Sequence, residues 1–164
     1  MDDKILTPII SAVSVLCGVI VSQLSTMTIA WIDRRHKRKV LLREKYETLS
    51  LNFLDSLELP QKLMGHGKHT EEVLSLTHQK HANHVRMLAL LYFPELLPSV
   101  ENYIQTYSDL CVVCFGLSDP SNHLSIGEQV LYSPEYIAAS EPHHLAKEKL
   151  CNTIEKYASK YAIA

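Results

Sequence analysis

Hydrophobic and polar positions divide the chain sharply in two. Residues 5 to 32 hold no Asp, Glu, Lys, Arg or His, and most of them are apolar. A bilayer core of about 30 Å needs roughly 20 mostly apolar helical residues, so this stretch is predicted to be a transmembrane helix. Past residue 33 the apolar positions recur at three and four, the period of an amphipathic helix, and no strand-like alternation of useful length appears. Leu42, Tyr46, Leu49, Phe53 and Leu57 predict a first helix over 33–59, continuous with the span and ended by Pro60. Leu74, Val85, Leu88 and Tyr92 mark a second over 70–93, whose apolar end, VRMLALLYF, is expected to be the most buried segment outside the membrane.

Pro94 breaks that helix, and Pro98 falls in the first turn of a third, over 96–116. Val100, Ile104, Tyr107, Cys111 and Cys114 form its buried face, with Gly116 as its C-terminal cap. Residues 117–142 contain Pro120, Pro134, Pro142 and Gly127 and read as a long connection with one or two helical turns, one starting at Ser133-Pro134-Glu135. Leu150, Ile154, Tyr157 and Tyr161 mark a last helix over 143–161. The expected fold is all-α. It comprises a tail at 1–4, a transmembrane helix at 5–32, and an antiparallel four-helix bundle over 33–164.

Charge sets the expected orientation. Arg34, Arg35, Lys37, Arg38 and Lys39 follow the apolar run at once. By the positive-inside rule they stay in the cytoplasm with everything after them, while the N-terminal tail crosses. The same residues suit anionic lipid head groups, at about 1 kcal/mol each near the surface. No aromatic residue interleaves with them between 33 and 45, so nucleic acid is not an expected partner. A formal net charge of -2 supplies no global field to recruit it either. A cleavable signal peptide would have a shorter apolar core preceded by basic residues, and here the basic cluster follows.

The span is itself patterned. Thr7, Ser11, Ser14, Gly18, Ser22 and Ser25 share one helical face, with Leu16, Ile20, Leu24, Met27 and Trp31 on the other. In lipid, helices associate through close backbone approach over small residues, and Ser14-x-x-x-Gly18-x-x-x-Ser22 is two such units in tandem. The face predicts homo-oligomers; a partly polar pore lining is the alternative. Ser and Thr are also tolerated singly in a span by bonding to the i−4 carbonyl.

Catalytic signatures are sparse. The run His78-x-x-His81-x-x-His84 puts His78 and His81 where both could reach one ion, but no carboxylate lies within it. Cys111-x-x-Cys114 has the spacing of a redox or half-zinc motif without a second pair, inside an apolar helix, and reads as two small core residues. Phosphate-binding, dinucleotide-binding, nucleophile-elbow and di-iron motifs are absent. None of the five arginines has a histidine four to six residues downstream, as HEPN-class ribonucleases usually show. The expectation is a non-enzymatic protein with no cofactor.

The segments REKYE (Arg43 to Glu47) and RMLALLYFPEL (Arg86 to Leu96), behind one N-terminal span and a basic stretch, resemble those of a loose group of small bacterial single-span proteins. That group carries no established activity. The resemblance implies a small bacterial single-span protein, and the residues themselves lead to the expectation of an inner-membrane protein whose cytoplasmic bundle contacts other proteins. In architecture the chain is also similar to the membrane accessory protein of type VI-B CRISPR systems. That similarity implies the alternative role, an oligomeric membrane-perturbing or pore-forming effector of antiphage defence.

Overall fold

The structure is a computed structural model and describes residues 3–65, 79–119, 121, 122 and 124–161, with side chains described from Ser14 onward. All regular structure among the described residues is helical. The elements are α1 (Asp3–Ser56), α2 (Leu59–Gly65), α3 (Lys80–Tyr92), α4 (Leu97–Leu117), α5 (Ile126–Val130) and α6 (Pro134–Tyr161). They divide into two units, Met1–Leu41 and Leu42–Ala164.

The first unit is the N-terminal part of α1. It is one helix long and apolar enough, by length and composition, to cross a membrane. The large side chains from Val15 to Ile32 are 49% to 69% exposed. Three of its hydroxyls bond back to the helix: those of Ser25, Thr26 and Thr28 donate to the carbonyls of Val21, Ser22 and Leu24 at 2.9, 2.9 and 2.8 Å.

The second unit buries two adjoining apolar clusters. In the larger, Tyr46, Leu49 and Phe53 of α1 meet Val85 and Ala89 of α3, Val100 and Tyr103 of α4, and Leu150 and Ile154 of α6. Aromatic rings join these helices. Phe93 meets Tyr46 edge-on at 5.2 Å and Tyr161 at 4.7 Å, and Tyr46 stacks on Tyr161 at 5.4 Å. The Tyr46 hydroxyl donates to the Ile154 carbonyl, which ties α1 to α6. Burial pushes that phenol up to about 12, so it stays a donor. The smaller cluster sets Leu63 of α2 and Ile126 and Val130 of α5 against Tyr107, Leu110 and Cys114 of α4.

Several boundaries differ from the sequence reading. The first amphipathic helix ends at Ser56 rather than 59, and Pro60 sits in the first turn of α2, where it needs no N–H. Of the expected helix 70–93, residues 70–78 lie outside the described residues, and α3 begins at Lys80 after Gln79 takes a left-handed backbone at φ 47°. Gln79 is buried there and donates to Ser108 Oγ at 3.0 Å. Gly116 is not a left-handed cap: α4 runs to Leu117 and ends in an extended Ser118.

The connection expected over 117–142 is shorter. Pro134 opens α6, the Ser133 hydroxyl accepts the Tyr136 N–H at 3.1 Å, and the helix passes through exposed Pro142 to Tyr161. A capped start ahead of Pro142, and its solvent-facing position, outweigh the one lost hydrogen bond. Nor is VRMLALLYF buried all round. Val85, Leu88 and Ala89 face the core, but Met87, Leu90 and Leu91 are 52% to 64% exposed, because the described neighbours of α3 cover only one side of it.

Helix α5 carries a capping box. The Glu128 N–H reaches Ser125 Oγ at 3.3 Å, and the Glu128 carboxylate takes the Ser125 N–H at 2.8 Å. Beside it Gly127 touches α2 so closely that a Cβ would lie 2.9 Å from the Met64 carbonyl oxygen. Backbone cannot yield as a flexible side chain can. Gly127→Ala is therefore expected to destabilise the second unit by about 1–3 kcal/mol, seen as faster amide exchange in α2 and α5; unchanged exchange would refute the contact.

Candidate functional site

The apolar end of α1 is the first candidate surface. Ser14, Gly18, Ser22 and Ser25 fall on one side of it by helical spacing, and all are exposed. Thr7 and Ser11, the other members of the predicted face, lie outside the residues whose side chains are described. A Cβ added at Gly18 would meet nothing within 4 Å, so the helix backbone there is open to close approach.

Beyond it the basic stretch is exposed throughout, yet its members are not equivalent. Lys37 pairs with Asp33 at 2.8 Å, and the Arg35 guanidinium lies 5.5 Å above the Trp31 ring. Arg34, Arg38 and Lys39 extend the positive run along the same helix. Exposed pairs of this kind contribute little to stability, but they set which cations are held close to the helix surface.

The histidine run does not assemble as one ligand set among the described residues. His78 lies outside them. His81 reaches back to α1, with Nδ1 3.3 Å from Asn52 Oδ1 and 3.6 Å from Asp55 Oδ2, and His84 faces solvent. No group of three His, Cys, Asp or Glu side chains that could hold a metal occurs among the described residues.

Cys111 and Cys114 sit in the smaller cluster at 5% and 0% exposure. Burial raises both thiols, Cys114 to about 11, which keeps the nucleophilic thiolate unpopulated near neutrality. They are core residues, in line with the sequence.

Two polar arrangements escaped the sequence reading. The first is His143, 6% exposed in the stripe of Ala146, Leu150 and Ile154 on α6. Its ring stacks on Tyr103 at 5.2 Å and leans on Tyr107 at 5.6 Å, with Nδ1 3.4 Å from Thr106 Oγ1. Burial, then the charge of Lys147 and the neighbouring His144, pushes this imidazole down to about 4. Tyr103 is in turn fixed by Ser56, hydroxyl to hydroxyl at 3.1 Å.

The second is Glu95, in the turn between α3 and α4. It accepts from the Tyr161 hydroxyl at 2.7 Å and from Lys160, and these bonds hold its carboxyl down to about 2. The pair fastens the last turn of α6 to the turn between α3 and α4. A heptad-like reading of α6 from Pro134 would have put His143 on the buried stripe; Glu95 left no periodic signal. Comparison of the chain with protein-family models, with curated proteins and with solved structures returns no match.

Proposed function

We propose that this chain is a single-span inner-membrane protein of a bacterium, without catalytic activity of its own. It self-associates through the span and presents a cytoplasmic, antiparallel four-helix bundle to protein partners. The observation that carries the reading is the contrast between the two units. The second covers its apolar residues with its own helices, while the first leaves every large apolar side chain from Val15 to Ile32 exposed. An uninterrupted apolar helix of that length has no stable place in water, and exposed apolar area on soluble monomers rarely exceeds a few hundred Å² per patch. A bilayer satisfies it, because the helix bonds its own backbone and three of its hydroxyls internally.

The basic stretch then lies at the inner head-group level, with Trp31 at the interface. Helix association is preferred to a pore lining because Gly18, on the face of Ser14, Ser22 and Ser25, leaves the helix backbone open to close approach. The membrane accessory role in antiphage defence remains the form of this architecture in which the oligomer acts on the bilayer.

Bacterial membranes containing the full chain test the reading. The protein is expected to resist alkaline carbonate and to dissolve in detergent, and in spheroplasts residues 33–164 are expected to survive added protease. Release by carbonate would overturn the span, and digestion of the helical domain would reverse the orientation.

A further inference from the structure

Helix α6 brings His143, His144 and Lys147 to the edge of one cleft of about 650 Å³. That volume falls within the roughly 300–1,000 Å³ of small-molecule sites. Leu57, Tyr103, Leu110 and Tyr136 form its apolar wall, and Gln61 also lines it. The cleft lies wholly within the second unit, between the turn after α1, α4 and α6.

Its charged groups are not paired with one another across the cleft. His144 is drawn away by Glu148, Nε2 to Oε1 at 3.3 Å. Lys147 is half-buried and has no carboxylate within 4.0 Å among the described residues. Glu141 is the one carboxylate among the described residues lining the cleft, and it is exposed to solvent. From α4 the neutral groups Tyr103, Tyr107 and Thr106 face His143.

The Lys147 ammonium stands without a counter-charge, and after burial it is the next influence that keeps the adjacent imidazole from taking a proton. Packing alone would be served by an apolar residue at 147. An anion seated in the cleft would relieve both groups at once.

We propose that this cleft binds a small organic anion with an apolar body. The acidic group sits on Lys147 and the His143 imidazole, and the body lies against Tyr103, Leu110 and Tyr136. The site stands independently of the membrane reading. Charge-assisted hydrogen bonds to Lys147 and His143 supply orientation, and the aromatic wall supplies affinity. Because a bound anion favours the imidazolium, occupancy and protonation of His143 are coupled, and each raises the other.

The test uses the full chain in detergent micelles with carbon-13-labelled histidine, the His143 signal being assigned by its loss in His143→Gln. Phenylacetate and phenyl phosphate are the anionic probes, and benzyl alcohol is the uncharged control. At least one anion is expected to shift the His143 ring signal saturably and to raise its titration midpoint, and the better of the two tells carboxylate from phosphate. Lys147→Met is expected to weaken that binding by about tenfold or more, the scale of one charge-assisted hydrogen bond, and Lys147→Arg to retain it. Near-UV circular dichroism of the tyrosines checks that each variant folds. The proposal is overturned if neither anion shifts His143, if benzyl alcohol saturates at the same concentration, or if folded Lys147→Met binds as wild type does. Should Lys147→Met fail to fold, the midpoint shift in the native chain decides alone.

Discussion

Stability of the helical domain is expected to fall as pH drops from 7 to 5, and His143→Leu is expected to remove most of that fall. His143 is neutral in the folded chain and takes a proton only near pH 4, against an ordinary value of 6.5. Between those two values the unfolded chain binds a proton that the folded chain refuses. The equilibrium therefore shifts toward unfolding as pH falls from about 6.5, and this contribution levels off below about 4. At one pH unit per 1.36 kcal/mol the full window is worth about 3 kcal/mol at most.

Glu95 acts with a different window. Its carboxyl is held near 2 against 4.5, so its contribution is present above 4.5 and fades as pH falls below that value toward 2. Measurements from pH 7 to 5 thus separate the imidazole from Glu95. Leucine fits the stripe of Ala146, Leu150 and Ile154, and Thr106 keeps its bonds to the Asn102 and Tyr103 carbonyls at 2.9 and 3.1 Å, so the substitution leaves no orphaned hydroxyl. Thermal unfolding of the full chain in micelles, followed by the tyrosine near-UV signal, reads the effect. An equally steep loss of stability in His143→Leu would show that the acid response comes from another group.

What the sequence makes legible follows from which signals are local. The buried stripe of α1 is readable because Tyr46, Leu49 and Phe53 repeat at helical spacing with polar residues between. Cys111 and Cys114 read correctly as core residues for the same reason. The start of α6 is readable at Ser133-Pro134-Glu135, but its continuity was hidden because Pro142 looks like a boundary and becomes one only if its missing N–H matters, which depends on its side of the helix. His143 went with it: a histidine read as a first residue carries no face, whereas one in the middle of a stripe does.

Exposure of Met87, Leu90 and Leu91 could not be read at all. Periodicity says a face is apolar, and only the neighbours of α3 say whether that face is covered. Gly127 is similar, since its role is set by Met64 some sixty residues away in the chain. The Glu95 contacts with Lys160 and Tyr161 likewise join residues that no short-range pattern connects. The small-residue face of the span is defined by helical spacing alone and needs no tertiary partner; among its members Ser14, Gly18, Ser22 and Ser25 are exposed on α1.

That face yields the sharpest test of assembly. On the proposed association through the span, Gly18→Leu is expected to yield monomer in mild detergent and in liposomes, with Ser14→Leu acting in the same direction. In the single chain a side chain at 18 meets open space, and leucine is a better helix former than glycine by about 1 kcal/mol, so the substitution does not harm the monomer. Its hydrophobicity also favours insertion. Whatever is lost must then be lost between copies, where a leucine holds two backbones apart and removes the dispersion contacts that drive association in lipid. Leu16→Ala, on the opposite side, is the matched control and is expected to leave oligomer size unchanged. Energy transfer between labelled copies in liposomes, at fixed lipid-to-protein ratio, measures both. If Gly18→Leu and Ser14→Leu associate as wild type does, the span face is not where copies meet. Association would then have to run through the helical domain, where Met87, Leu90 and Leu91 are the next apolar surface to mutate.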